Sequence, residues 1–392
     1  MKVYRYIIVF FLSFLVFSVA IVTEYAYAKS DIEKELEKEI NDNLSSLIEP
    51  ELEEYFKKIE INGKPFALKE LIYGIINGDF DISLDNLVDF FISSLKDSLK
   101  SSFVSLLSIL VLSLIYSISS ALTSGFKKEG TKELIHLVIY GSIICTITIT
   151  IGSLISNVTN TLREIDKIFE LSFPIILTII TALGGSASIT TFSTITMVYS
   201  EILIKIITNL LIPLFFAVTV FTIVGHLSDT VKLNKLKNSF KSIGNWTLGI
   251  TFSILTTFVT MQGLVGASID SISIKSAKFA LSSYVPILGG YLSEGFDIVM
   301  GSLIIIKNAF GFSIFLALLS LILTPIIKIL IFSLSLKLVA GFVETTGGDK
   351  ISALLYDISI NFNMILSIFA GVFFIVFLFM VLTVGAFNGG VL

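Results

Sequence analysis

The sequence predicts an all-α polytopic membrane protein of about six transmembrane helices plus two re-entrant or short broken-helix hairpins, with a parallel internal repeat as a further expectation. Three observations predict it. Apolar residues fill 54% of the 392 positions and charged residues only 15%, where an ordinary globular domain carries about 25% charged. The mean hydropathy is +0.92. The apolar runs reach about 20 residues or more, the length that crosses a hydrocarbon core at a rise of about 1.5 Å per residue. Strand-like alternation is absent from these runs, which argues against a β-barrel. A net charge of −4 leaves no basic footprint for a nucleic-acid partner, and the two arginines, Arg5 and Arg163, nearly exclude bidentate phosphate clamps. Cys145 stands inside an apolar run and reads as a small hydrophobe, not as a redox or metal group.

Taken in order, residues 1–28 form a secretory signal. Lys2 and Arg5 make its basic start, Ile7 to Val22 its apolar core, and Ala26 and Ala28 flank Tyr27 as the small-residue cleavage site. An uncleaved anchor is the alternative. In both cases residue 29 onward begins outside the cytoplasm. Residues 29–98 form an extracytoplasmic helical region. Ser30 with Glu33 makes a capping box, Ile32, Leu36 and Ile40 recur at helical spacing, and Asn62 to Pro65 breaks the chain. Ser83 opens a second amphipathic helix with Leu84, Leu87, Val88, Phe91 and Leu95 on one face. A segment this short is small for a core of its own, so it should pack on the membrane or on a partner.

The remainder, 99–392, is the multi-span domain. Spans are expected at 101–122, 134–156, 202–224, 245–269, 309–330 and 360–386. Lys127, Lys128 and Lys132 in one loop, and Lys232, Lys235, Lys237 and Lys241 in another, place both loops in the cytoplasm. The acidic 157–170 segment is expected as an outer loop. Residues 171–200 must then cross an even number of times. Gly184 and Gly185 split them into two arms too short to span, so a re-entrant hairpin is expected, with two short tilted spans as the alternative. Residues 270–285, with Lys275 and Lys278, read as an interfacial helix. Pro286 to Ile306, with Gly289, Gly290, Glu294 and Asp297, read as a second dip from the outer face. Lys328 is expected to snorkel to the cytoplasmic surface, and residues 344–350 to form a cytoplasmic turn.

The two halves, 134–224 and 245–330, rhyme. Pro174 and Pro286 share the 112-residue offset of Pro213 and Pro325, which hints at a parallel repeat. No catalytic constellation, cofactor loop or metal set emerges, so no enzyme is expected. His136 and His226 each stand alone near a membrane boundary and read as interfacial polar residues. Glu201 and Lys205 read as an interfacial ion pair, with a polar lining as the alternative for them and for Glu294, Asp297 and Lys307. Serine and threonine clusters read as packing glue between helices.

The stretch KSAKFALSSYVPILGGYLSEGFDIVMGSLIIIKNAFG at 275–311 resembles the stage III sporulation protein AE family of endospore-forming Firmicutes. The elements that carry the resemblance are Ala277-Lys278-Phe279, Pro286-Ile287-Leu288-Gly289 and Lys307-Asn308-Ala309-Phe310-Gly311. It extends over roughly 90–385, and residues 29–90 depart from it. The resemblance implies a membrane subunit of a channel or secretion-like assembly, required for endospore formation, in the mother-cell membrane around the forespore. The implied partners are other membrane and ring-forming subunits, a separate cytoplasmic ATPase, a forespore-side partner and the lipid bilayer. No cofactor and no catalytic residue carries over. Lys278, Phe279, Pro286, Gly289, Gly290, Lys307 and Asn308, with Gly184 and Gly185, are the candidate dip and interface residues. A small-solute permease whose paired dips form a binding site is the competing reading.

Overall fold

The long apolar runs, together with the polar stretches between several of them, fold as continuous helices. The computed structural model describes residues 50–57, 60–61, 64–65, 67–77, 84–123, 129–185, 202–227, 232–284 and 289–385. The signal with Ala26 and Ala28, the capping-box helix, Glu201 and Pro286 lie outside the described residues. In order come α1 (Pro50–Lys57), the strand pair β1 (Glu60–Ile61) and β2 (Lys64–Pro65), and α2 (Leu68–Asn77). The strands are antiparallel, with Ile61 opposite Lys64. Then follow α3 (Leu84–Thr123), α4 (Glu129–Ala182) and α5 (Ile204–Ile206), which passes through a π-helical turn (Ile207–Leu211) into α6 (Ile212–Leu227). The last three are α7 (Asn234–Tyr284), α8 (Gly289–Thr345) and α9 (Asp349–Gly385). Among the described residues, five helical stretches are long and apolar enough to cross a membrane: Ser98–Ser119, Leu137–Ala182, Ile204–Leu227, Gly295–Thr345 and Asp349–Val384. The expected 245–269 span lies on α7, which is not among these five.

Continuity corrects three expectations. Residues 157–170 are no loop but the middle of α4. Their polar residues hide a helical stripe, Val158, Leu162, Ile165 and Phe169, which is buried. Residues 270–284 are no separate interfacial helix, because neither a proline nor a glycine pair interrupts α7 there. Residues 289–306 do not turn back. They are the first turns of the 57-residue α8, which runs straight into the expected 309–330 span. A charged residue makes a lipid-facing position expensive without breaking a helix, and Lys307 faces protein.

The break at Gly184 is a helix stop. Gly184 takes φ 79, Gly184 N–H donates to Thr181 O, and Gly185 N–H donates to Ile180 O, both at 2.9 Å. This is a Schellman end, where the left-handed residue costs nothing because glycine lacks a Cβ. α8 ends in the same way at Gly347, φ 81, with Gly348 N–H on Val343 O at 3.0 Å, so 346–348 is a turn as expected. The prolines do not share one local geometry. Pro174 and Pro325 sit inside regular helix, whereas Pro213 follows the π-helical turn, where a widened turn relieves the clash of the ring with the preceding carbonyls.

α8 is the central element and packs against α9, α3, α4, α7 and α2, while α9 also meets α6 and α7. The core between them is stacked phenylalanine. Phe362 lies 5.6 Å from Phe215 and 5.4 Å from Phe332, and Phe169 meets Phe379 edge-on at 4.8 Å. Hydroxyls along the helices are absorbed locally: Thr146, Thr150, Ser313 and Thr383 each donate to the carbonyl four residues back. The last turns of α3 and the first turns of α4 and α9 lie at one end of the bundle. The rings of Tyr116 on α3 and Tyr140 on α4 stand 6.2 Å apart, Gly348 of the 346–348 turn packs on Ser117, and Lys237 near the start of α7 pairs with Asp357.

Candidate functional site

Lys307 and Asn308 stand where α8 meets the far end of α9. Lys307 is 0% exposed, and its Nζ donates to the Val384 carbonyl at 3.4 Å. A cation against the last carbonyls of a helix is favourable, because those groups carry the negative end of the helix dipole. Gly311, one turn further on, faces Thr383, whose Cγ2 would lie 2.7 Å from a Cβ at that position. These residues therefore lock α8 to the end of α9.

The other sequence-selected residues do not converge on that point. Gly289 and Gly290 begin α8, about 27 Å away along the helix. Lys278 and Phe279 lie near the end of α7, with Phe279 exposed. Gly184 and Gly185 end α4. Asp297 is half-buried on α8, and Lys328 is half-buried below Pro325.

A second polar constellation, which sequence reasoning missed, lies toward the opposite end of the bundle and is centred on α9. Asp357 accepts from Lys237 Nζ at 2.9 Å and faces His226 Nε2 at 3.8 Å. His226 Nδ1–H donates to the Thr222 carbonyl at 2.8 Å, which turns Nε2 toward the same carboxylate. Ser359 accepts through its carbonyl from Ser333 Oγ at 2.8 Å. Asn361 Nδ2 donates to Thr222 Oγ1 at 2.9 Å, with both residues buried. Three α9 residues two apart thus tie that helix to α6, α7 and α8. His226, expected as a lone boundary residue, belongs to this hub.

Lys241, one turn beyond Lys237 on α7, is half-buried beside the same carboxylate. Burial first, then the like charge of Lys237, hold its ammonium below the ordinary lysine value, against the opposing pull of Asp357. The sequence did carry a signal for the hub. Asp357 is the sole acid between Ile351 and Leu392, and it stands two and four residues before Ser359 and Asn361 in an apolar run.

The chemistry of both clusters is adhesive. Among the described residues no group of three His, Cys, Asp or Glu stands together to hold a metal. At the lead end, Tyr55 on α1 donates its hydroxyl to Glu164 of α4, and α2 packs on α8. Burial, with that carboxylate as hydrogen-bond partner and neighbouring charge, raises the Tyr55 hydroxyl above its ordinary value.

Comparison with known proteins extends this picture. The family model described as stage III sporulation protein AE matches residues 66–387, beginning further toward the N-terminus than the sequence resemblance does. The stage III sporulation protein AE of Bacillus subtilis (strain 168) is 23% identical over 263 residues, which cover 67% of this chain and 66% of that protein. The chain thus spans just under two thirds of that relative's length. No solved structure matches the chain.

Proposed function

Because the chain belongs to the stage III sporulation protein AE family, we propose that it serves endospore formation as a multi-pass membrane subunit of a transenvelope channel or secretion-like complex between mother cell and forespore. In this reading it sits in the mother-cell membrane around the forespore, with the 123–133, 225–242 and 344–350 connections in the cytoplasm. It assembles there with other membrane and ring-forming subunits, a forespore-side partner and a separate cytoplasmic ATPase. Residues 29–98 reach the space between the two membranes.

The nesting of the helices carries this reading. α8 and α9 form the centre, packed against α3, α4, α6 and α7 with Leu334, Leu338 and Phe342 of α8 left exposed, and aromatic side chains fill the space between them. The apolar surface faces outward instead, with Phe103, Val104, Leu137, Val138, Trp246 and Ile254 all exposed. Such a body fits a framework subunit, with any conduit between it and its neighbours. A permease working alone would need broken helices converging on a central site, and α8 is continuous through the stretch expected to break.

The deciding experiment is recovery of a tagged chain from membranes of sporulating cells. Co-purification of an ATPase and ring-forming proteins, with loss of heat-resistant spores when the chain is deleted, is the expected result. Saturable, substrate-specific flux through the purified chain alone in liposomes would overturn the subunit reading in favour of a permease.

A further inference from the structure

The outward faces of the bundle do not share one apolar level. On the α3–α4 flank the exposed apolar residues run from Ile118 up through Ile115, Val111 and Val104. Their lower edge is level with the Gly347 turn, because Ser117 touches Gly348 and Tyr116 stacks on Tyr140. Their upper edge comes where Lys100 and Lys96 on α3, and Asn157, Asn160, Arg163 and Glu164 on α4, are exposed. From Tyr140 to Asn157 is about 25 Å along the helix, close to one hydrocarbon thickness.

On the α6–α7 flank the corresponding band is displaced. Gly244 packs on Met364 and Phe252 on Gly371, which sets the level of α7 against α9. The exposed apolar residues there run from Leu227 on α6 and Leu236 on α7 through Val220, Ile243, Trp246, Ile250 and Ile254 to Met261. The band begins with Leu236, level with Asp357 through the Lys237–Asp357 pair, ten residues and about 15 Å above the Gly347 turn. Below that level this flank carries the exposed Lys232 and Lys235.

The register between α4 and α9 closes the comparison. Leu162, Ile165 and Phe169 pack beside Val372, Ile375 and Val376, so Asn160 stands level with about Gly371 and hence with Phe252 and Ile254. At one height the molecule therefore presents Asn160, Arg163 and Glu164 on one flank and Ile250 and Ile254 on the other. An upright bundle would bury the first set in hydrocarbon or expose the second to water.

We infer that the bundle sits in the bilayer on a slant, with lipid contacting α3–α4 low and α6–α7 high. An offset of about 15 Å across two or three helix spacings of 8–10 Å corresponds to a tilt on the order of 30°, within the observed range. The slant lifts the polar middle of α4 into the outer aqueous layer, where α1 already meets it through Tyr55 and Glu164.

The inference rests on the membrane seat proposed above, and its test separates the two. Single cysteines at Asn160, Ile254, Val111 and Lys235 are placed in full-length chain carrying Cys145→Ser, in native membranes of sporulating cells. A membrane-impermeant maleimide is applied to right-side-out and inverted vesicles. The slant predicts labelling of N160C from the outer side and none of I254C, with labelling of K235C from the inner side and none of V111C. Equal labelling of N160C and I254C, or of V111C and K235C, would overturn it. Release of the chain by alkaline carbonate would instead sink the membrane seat itself.

Discussion

Gly371 packs its α-carbon against the ring of Phe252, so any side chain there must displace the ring or separate α7 from α9. Gly371→Val should lower stability by about 1–3 kcal/mol, the usual cost of overpacking, read as a lower unfolding midpoint in detergent. Adding Phe252→Ala should return part of that loss, and failure of the pair to compensate would mean the contact is not the cause. Lys241 gives a prediction that depends on pH. Its proton is held less tightly folded than unfolded, so between the lowered value and the ordinary 10.5 the unfolded chain binds more protons and stability rises with pH. Below that window both states are protonated and the folded state carries the full penalty. Lys241→Met should therefore stabilise the protein at pH 7, with the gain fading as pH approaches 10.5. A gain that persists unchanged at high pH would point to packing instead.

At the scale of elements, the helix ends and the α9 hub make separate demands. Gly184→Val and Gly347→Val would force a branched side chain into left-handed backbone, at a cost of roughly 1–2 kcal/mol each. The cost should appear as easier proteolysis at the end of α4 or α8, whereas Gly249→Ala, in open helical surface, should be neutral. In the hub, Asp357→Asn and Lys237→Met should couple by about 0.5–3 kcal/mol in a double-mutant cycle, because the two groups touch across α7 and α9. Strict additivity would show the pair to be solvated and idle. Much of this architecture was legible. Apolar length located the long helices, and Gly184-Gly185 marked a stop. Local polarity misled where a helix is amphipathic, since 157–170 reads as a loop until the stripe from Val158 to Phe169 is set at helical spacing. The burial of Lys307 and the Asp357 hub depend on which helix lies alongside, and nothing local encodes that neighbour.

For the whole molecule, the exposed apolar flanks and the polar middle of α4 bear on how the chain meets its surroundings. Replacing Asn160 and Glu164 together by leucine would extend the α3–α4 apolar face by about two turns. It would also remove the carboxylate that receives the Tyr55 hydroxyl. The expected outcome is a chain that still enters the membrane but leaves the 50–77 region open to protease from the outer side, with fewer heat-resistant spores. Unchanged protection of that region and normal spore yield would show that the α1–α4 contact plays no part in assembly.

The central position of α8 and α9 has a consequence for biogenesis. The ribosome delivers this chain from the outside of the bundle inward, so α3, α4, α6 and α7 enter the membrane before the pair that fills the space between them exists. Until residue 385 emerges, the buried faces of Ile143, Ile147, Phe215 and Leu248 have only lipid, one another or a holding factor to rest against. A chain stopped after Tyr284 should thus be made and inserted but quickly degraded. Supplying residues 285–392 as a second polypeptide should slow that loss, because the missing centre can be delivered late but cannot be left out.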